Sequence, residues 1–429
     1  MAYATSYSIP TGTITYHNSE LVITSMMMEI SETFREQEIP MIFAWGTGGS
    51  IDTNPVVHGG IIYFGAHDHH IFAVTPDGHE IWRFTADGPI MAEIRIHQNR
   101  LYVGSYDKNL YCLKLDGRLA WKFQTNGVIV AAACVWRDHV YIGAQDGTLY
   151  CLTLDGKLLW SFPTMGPVAA NLDADDSAVY FGSFDGNVYA LGHEGRLLWK
   201  FPAPSKICNV IAGKDFILAA SFDGRIFMLD QNGVLQWKFE ANGMLRFQTP
   251  FLIEDRIYFG CKDNNFYCLD LNGRLQWKFP TANEVVRGPL LHDNALYFGD
   301  LDGNLYAIST EGRRLWKFSA RGGIISTPVA YDGKIIFGCL DCNLYALNES
   351  GEVIWKFQTT LSSPSVPNPD VQPNIAFSLP KLEGLSSESL DIYRKPAGLF
   401  GEGGSSVYTS SDASYLTRSV YTSKKSKYA

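Results

Sequence analysis

Three groups of residues in this 429-residue chain have the types and spacing to do chemistry. His67-Asp68-His69-His70 packs three imidazoles and a carboxylate into four consecutive positions, the donor types of a surface divalent-metal site. The competing reading is an exposed, strained turn with no ligand. Cys339-x-x-Cys342 has the spacing of a metal or redox pair. It has no second cysteine pair to complete a zinc site, and it spans a hairpin signal rather than entering a helix. Asn54, Glu93, Asn171, Asn209, Thr249 and Thr327, with Ala132 and Gly288, each stand eleven residues before a recurring small residue, and Arg287 adjoins Gly288. A ring of such groups at a tunnel mouth would grip a small ligand or a peptide end, or line a water-filled channel. No Gly-Lys-Ser/Thr loop, Gly-x-Ser-x-Gly elbow or His-Glu-x-x-His motif occurs, so the usual signatures of phosphate binding, nucleophilic catalysis and zinc hydrolysis are missing.

The elements that position these groups are written as a repeat. Trp82, Trp121, Trp160, Trp199, Trp237, Trp277, Trp316 and Trp355 follow one another at 39, 39, 39, 38, 40, 39 and 39 residues. A period near 40 marks stacked copies of one supersecondary unit. Each tryptophan is followed by Arg, Lys or Ser and then by Phe. Within one copy, residues 283–318, alternating aromatic and aliphatic runs predict strands. Asp302-Gly303 is a hairpin signal between two of them. Four short strands leave no room for a crossover helix, so the sheet is an antiparallel meander. One such sheet cannot bury both faces, whereas eight arranged radially can.

The expected fold is therefore all-β: an eight-bladed β-propeller of four-stranded antiparallel blades over residues 41–358. It carries an N-terminal extension, 1–40, and a C-terminal tail, 359–429. Closure is expected to use a strand from one end to complete a blade from the other, either Met41-Ile42-Phe43-Ala44-Trp45 or the strand at Trp355.

The run Gly182-Ser183-Phe184-Asp185-Gly186-Asn187-Val188-Tyr189-Ala190-Leu191, followed by Gly195 and Trp199, resembles the pyrroloquinoline-quinone (PQQ) repeat. The resemblance covers residues 45–358 and extends to eight-bladed quinoprotein-dehydrogenase-like propellers and to assembly lipoproteins of the BamB type. In that family the tryptophan docks against the glycine region of the neighbouring blade, which implies that the eight tryptophans are structural. Some relatives are calcium- and quinone-dependent dehydrogenases, whereas others bind no cofactor and act as scaffolds. The dehydrogenases it resembles are exported, and they carry a disulfide between adjacent cysteines; this chain has no Cys-Cys pair. A WD-type propeller fits less well, because no tryptophan here is followed by Asp.

Composition narrows the partners. A formal net charge of −9 argues against general nucleic-acid binding. No 18-residue apolar run predicts membrane insertion, and the first 25 residues lack the pattern of a signal peptide. Reduced cysteines and a cytoplasmic location are expected. Cys112, Cys151 and Cys268 take the slot held elsewhere by Ala190, Ala307 and Ala346, which suits a small core residue. Lys122, Lys200, Lys238, Lys278, Lys317 and Lys356, with Arg83, follow the tryptophans. They read as a guard on outer strand edges or as a belt for an acidic partner.

The extensions differ in character. Residues 19–38 could form a short amphipathic helix capped near Ser25. The tail is rich in Ser, Pro, Gly and Thr, yet Ser406-Val407-Tyr408-Thr409-Ser410 recurs as Ser419-Val420-Tyr421-Thr422-Ser423. Val407, Tyr408, Val420 and Tyr421 are the candidate partner-binding residues of two β-prone docking motifs. The expected function is a non-catalytic scaffold without cofactor or metal, holding proteins of a multi-subunit assembly together, with the tails as tethers. The alternative is a small-ligand sensor or a PQQ-dependent dehydrogenase working at the tunnel mouth.

Overall fold

The computed structural model describes residues 6–9, 12–15, 48–245, 250–359, 405–408 and 419–422. Residues 48–359 carry eight four-stranded antiparallel sheets, the blades of a β-propeller. Their strands span 56–85, 95–124, 134–163, 173–202, 207–240, 251–280, 290–319 and 329–358. In blade one the strands are Val56–His58, Ile61–Gly65, His70–Val74 and Glu80–Thr85, paired in that order. The second and third are buried after their first residue, because neighbouring blades cover both faces. The fourth alternates between exposed and half-buried residues and leaves the outer edge of the blade unpaired.

Each tryptophan sits on the fourth strand opposite the third-strand slot held by Ala73, Cys112, Cys151, Ala190, Met228, Cys268, Ala307 or Ala346. Mostly small residues there leave room for an indole. The indole N–H then donates to a carbonyl in the next blade: Trp82 to Leu115, Trp121 to Leu154, Trp160 to His193 and Trp199 to Gln231. Trp237 reaches Leu271, Trp277 Thr310, Trp316 Glu349 and Trp355 Pro76. A glycine of the same receiving turn lies flat on each ring. Gly195 shows why: its φ is +85°, and a methyl group there would come within 2.8 Å of Trp160. Only glycine satisfies both demands.

The hairpin between second and third strands is built on its aspartate. Asp107 accepts the Asn109 N–H at 2.8 Å and the Tyr111 hydroxyl at 2.6 Å. Asp146, Asp185 and Asp341 repeat this with Tyr150, Tyr189 and Tyr345. Three of these carboxylates also reach back: Asp87 N–H donates to Asp107, Asn126 to Asp146 and Met165 to Asp185. The repeated aspartate thus joins each of these hairpins to the loop arriving from the preceding blade.

Closure does not exchange a strand. Blade eight keeps Val353–Gln358, the strand of Trp355, as its own fourth strand, and blade one is likewise made of consecutive strands. Docking between complete blades replaces the expected shared strand. The Ile51 N–H donates to the Cys339 carbonyl at 3.1 Å, and the Thr359 hydroxyl donates to the Gly49 carbonyl at 2.6 Å. The segment 41–45, the helix expected within 19–38 and Thr249 lie outside the described residues.

The chain divides into two units, residues 48–363 and residues 1–47 with 364–429. In the second unit, Ser6–Ile9 pairs with Gly12–Thr15 and Ser405–Tyr408 pairs with Ser419–Thr422. The two copies of the tail motif therefore pair with each other, Val407 opposite Val420 and Ser406 opposite Tyr421.

Candidate functional site

The first strands of neighbouring blades approach one another, which makes them the innermost strands. Four of the residues singled out by spacing lie at the entries to these strands and join there in one network. The Thr327 N–H donates to Asn54 Oδ1 at 2.7 Å. Asn54 Nδ2 donates to Glu93 Oε1 at 2.5 Å. Arg287 Nη1 donates to the same oxygen at 2.6 Å and Nη2 to the Asp52 carbonyl at 3.3 Å. Thr327 Oγ1 closes back onto the Gly288 carbonyl at 3.2 Å.

Arg287 enters from blade seven, whereas Glu93 belongs to blade two, so the guanidinium reaches past blades eight and one. The Arg287 and Glu93 side chains are only 11% and 9% exposed, and a charge-assisted bond between such groups is strong because little water competes. On the opposite arc Asn171 and Asn209 make uncharged contacts. Asn171 Oδ1 accepts the Ala132 N–H at 3.1 Å, Asn209 Nδ2 donates to the Pro250 carbonyl at 3.0 Å, and the backbones of Asn171 and Asn209 bridge in parallel.

The side chains of the histidine-rich turn contact different carboxylates. His67 is buried, and its Nε2 lies 3.0 Å from Asp52 Oδ2. His70 Nδ1 instead lies 3.2 Å from Asp68 Oδ1. His69 occupies the left-handed position, φ +72°, that Gly147, Gly186, Gly224 and Gly303 fill in other blades. Burial holds the His69 imidazole below its ordinary value and raises the Asp68 carboxyl, against the pull of His70. Asp52, the partner of His67, went unnoticed in the sequence because only position eleven before the glycine drew attention.

Cys339 and Cys342 are both fully buried. The Cys339 thiol donates to the Gly322 carbonyl at 3.1 Å, and burial pushes it well above the ordinary thiol range. All eight cysteines are free, and burial lifts Cys112 to about 11 and Cys151 to about 12. These thiols are packing groups rather than nucleophiles. Several cations after the tryptophans are engaged locally: Arg83 with Glu80, Lys122 with Asp87, Lys238 with Glu240. Arg83 and Lys122 also lie over the cross-strand rings of Phe72 and Tyr111.

A family model described as the beta-propeller of beta-alanine-activating enzyme matches residues 20–271. A second, described as outer membrane protein assembly factor BamB, matches residues 262–377. No curated protein matches the sequence. Among solved structures, BamB from Moraxella catarrhalis is 17% identical with a TM-score of 0.56, covering 72% of this chain and 98% of that one. The computationally designed Ika8 protein is 18% identical with a TM-score of 0.62, covering 71% and 97%. Quinohemoprotein alcohol dehydrogenase ADHIIG from Pseudomonas putida HK5 is 14% identical with a TM-score of 0.57, covering 72% and 71%. At these identities the likeness is one of fold.

Among the described residues of this network the cations are Arg287, which Glu93 neutralises, and Arg95, 3.9 Å from the same carboxylate. The carboxylate of Asp52, with Oδ2 beside His67, adds negative charge, and its Oδ1 is buried with no hydrogen-bond partner among the described residues. With two carboxylates for two arginines, the network carries no excess positive charge.

Proposed function

Because the chain belongs to the family defined by the beta-propeller of beta-alanine-activating enzyme, we infer that it is a propeller scaffold that holds other proteins in an assembly. The observation that carries this reading is the apolar rim. Of the thirteen large apolar side chains exposed among the described residues, eleven lie on fourth strands and Val234 directly precedes one. Apolar side chains gathered on one part of a surface mark protein contact sites more often than chance scatter does. Blade three is the least defended edge. Leu158 and Leu159 are each 49% exposed, and Ser161 stands where every other blade has Arg or Lys after the tryptophan. Without that charge an open strand accepts a partner more readily. The free thiols suit a reducing, cytoplasmic setting.

The test is a pull-down from native extract with the full chain and with a Leu158→Lys/Leu159→Lys variant that keeps the wild-type melting temperature. The scaffold reading expects partners that the wild type retains and the variant loses. An identical set of co-purifying proteins, or none with either, would remove it. A second reading, a small-ligand sensor, is favoured by Asp52 Oδ1 and Asn209 Oδ1, buried acceptors without a hydrogen-bond partner among the described residues. A ligand rich in N–H or O–H donors would satisfy them. Saturable small-molecule binding lost in Asn209→Ala would turn the assignment to this reading.

A further inference from the structure

His292 ends the first strand of blade seven, Leu290–His292, and Asp293 follows it in the turn. Glu349 lies in the turn before the fourth strand of blade eight, Val353–Gln358. His292 Nε2 stands 3.7 Å from Asp293 Oδ2 and 3.9 Å from Glu349 Oε1. Charge-assisted hydrogen bonds between such groups form at about 2.7–2.9 Å, so these atoms are too far apart to bond one another. Donors around one divalent ion, at bond lengths near 2.1 Å and angles of roughly 90–120°, stand about 3.0–3.6 Å apart. The two separations from His292 Nε2, 3.7 and 3.9 Å, lie within a few tenths of an ångström of that range, and all three donor atoms lie within 4.8 Å of one another. Among the described residues this is the place where three metal-ligating groups converge.

Backbone on both sides of the junction is held independently of any ligand. The Glu349 carbonyl accepts the Trp316 indole N–H at 2.7 Å, and Gly351 of the same turn lies against that ring. Asn348 Oδ1 accepts the Ser350 and Glu352 N–H groups at 3.0 and 2.9 Å. Asp293 and Asn294 form a two-residue turn in the left-handed region, φ +47° and +59°, between the paired residues His292 and Ala295. Only the side chains have to adjust. They are 34%, 74% and 55% exposed, so an ion reaches them from solvent.

We propose that His292, Asp293 and Glu349 form a divalent-metal site that joins blade seven to blade eight. One neutral imidazole and two carboxylates supply two negative charges to a dication. A nitrogen donor among the oxygens selects zinc and similar transition ions over magnesium and calcium. Water completes the coordination, since three protein ligands leave a position open.

The test titrates ZnCl₂ into the full chain by calorimetry at neutral pH in a non-chelating buffer, with melting curves beside it. One ion per chain and a higher melting temperature in zinc are expected for the wild type. His292→Ala and Glu349→Gln should each weaken binding by at least about tenfold and abolish the thermal gain, whereas His79→Ala should change neither. Absence of saturable binding overturns the site. So does binding that survives either of the two ligand substitutions, which would place the ion elsewhere on the chain.

Discussion

Trp355 donates its indole N–H to the Pro76 carbonyl at 2.8 Å, although 279 residues separate the two in the chain. The bond repeats what the other seven tryptophans do between sequential neighbours, and here it joins the last blade to the first. The eight indoles are therefore joints of the ring rather than ordinary core residues.

Trp199→Ala should destabilise the protein by about 3–5 kcal/mol, the usual cost of truncating a large aromatic side chain. Trp199→Phe should cost less. It keeps most of the contact with Gly233 and loses the hydrogen bond to the Gln231 carbonyl, worth about 1 kcal/mol. Denaturant midpoints measure both. Equal effects of the two substitutions would show that the stacking contributes nothing.

A matched pair of glycine substitutions separates backbone strain from steric conflict. Gly195 and Gly333 both have positive φ, but the space beside Gly333 is open, whereas Trp160 lies beside Gly195. Gly333→Ala should cost roughly 1–2 kcal/mol for the left-handed conformation alone. Gly195→Ala should cost clearly more in the same unfolding assay, because the Trp160 indole must move.

Breaking the Arg287–Glu93 pair should be worse than removing it. Arg287→Ala leaves the Glu93 carboxylate nearly buried, with Arg95 no closer than 3.9 Å. Removing one partner of a buried pair costs about 3–5 kcal/mol. The Arg287→Met/Glu93→Gln double variant should recover a large part of that loss. A double variant as unstable as Arg287→Ala would mean that the network acts through packing instead of charge.

His139 predicts a step in acid sensitivity. Burial, and then the neighbouring His193, hold its imidazole below the ordinary value of 6.5. A depressed value means that the folded state resists protonation. The stability associated with neutral His139 is present above pH 6.5 and is lost as pH falls below it through the folded value. Melting temperatures compared at pH 7.5 and 5.5 should therefore differ less in His139→Gln than in the wild type. An unchanged difference would assign the acid sensitivity to other groups.

The propeller was legible because each blade solves the same problem and writes the same answer. Trp, the small residue opposite it and the hairpin Asp-Gly recur together, so one copy explains eight. Spacing also found Asn54, Glu93 and Thr327, whose neighbours in the ring are their equivalents in adjacent copies. Spacing could not find the reach of Arg287 to Glu93, since that contact exists only after blades far apart in sequence close into a ring. His67 looked like part of an exposed polar turn because three histidines stood together. It is buried instead, 3.0 Å from Asp52, a residue of the entering loop. Strand exchange was expected from the need for closure, but the Trp355 joint and the Thr359–Gly49 bond meet that need with complete blades.

Blades that share no strand make a ring without a privileged seam. The chain could be opened at another inter-blade loop and rejoined through a linker between Gly48 and Thr359, and every blade would still be made of consecutive residues. Such a circular permutant inherits all eight joints. By the same reasoning, a propeller of this kind can gain or lose whole blades in its evolutionary history without rewriting any of those that remain.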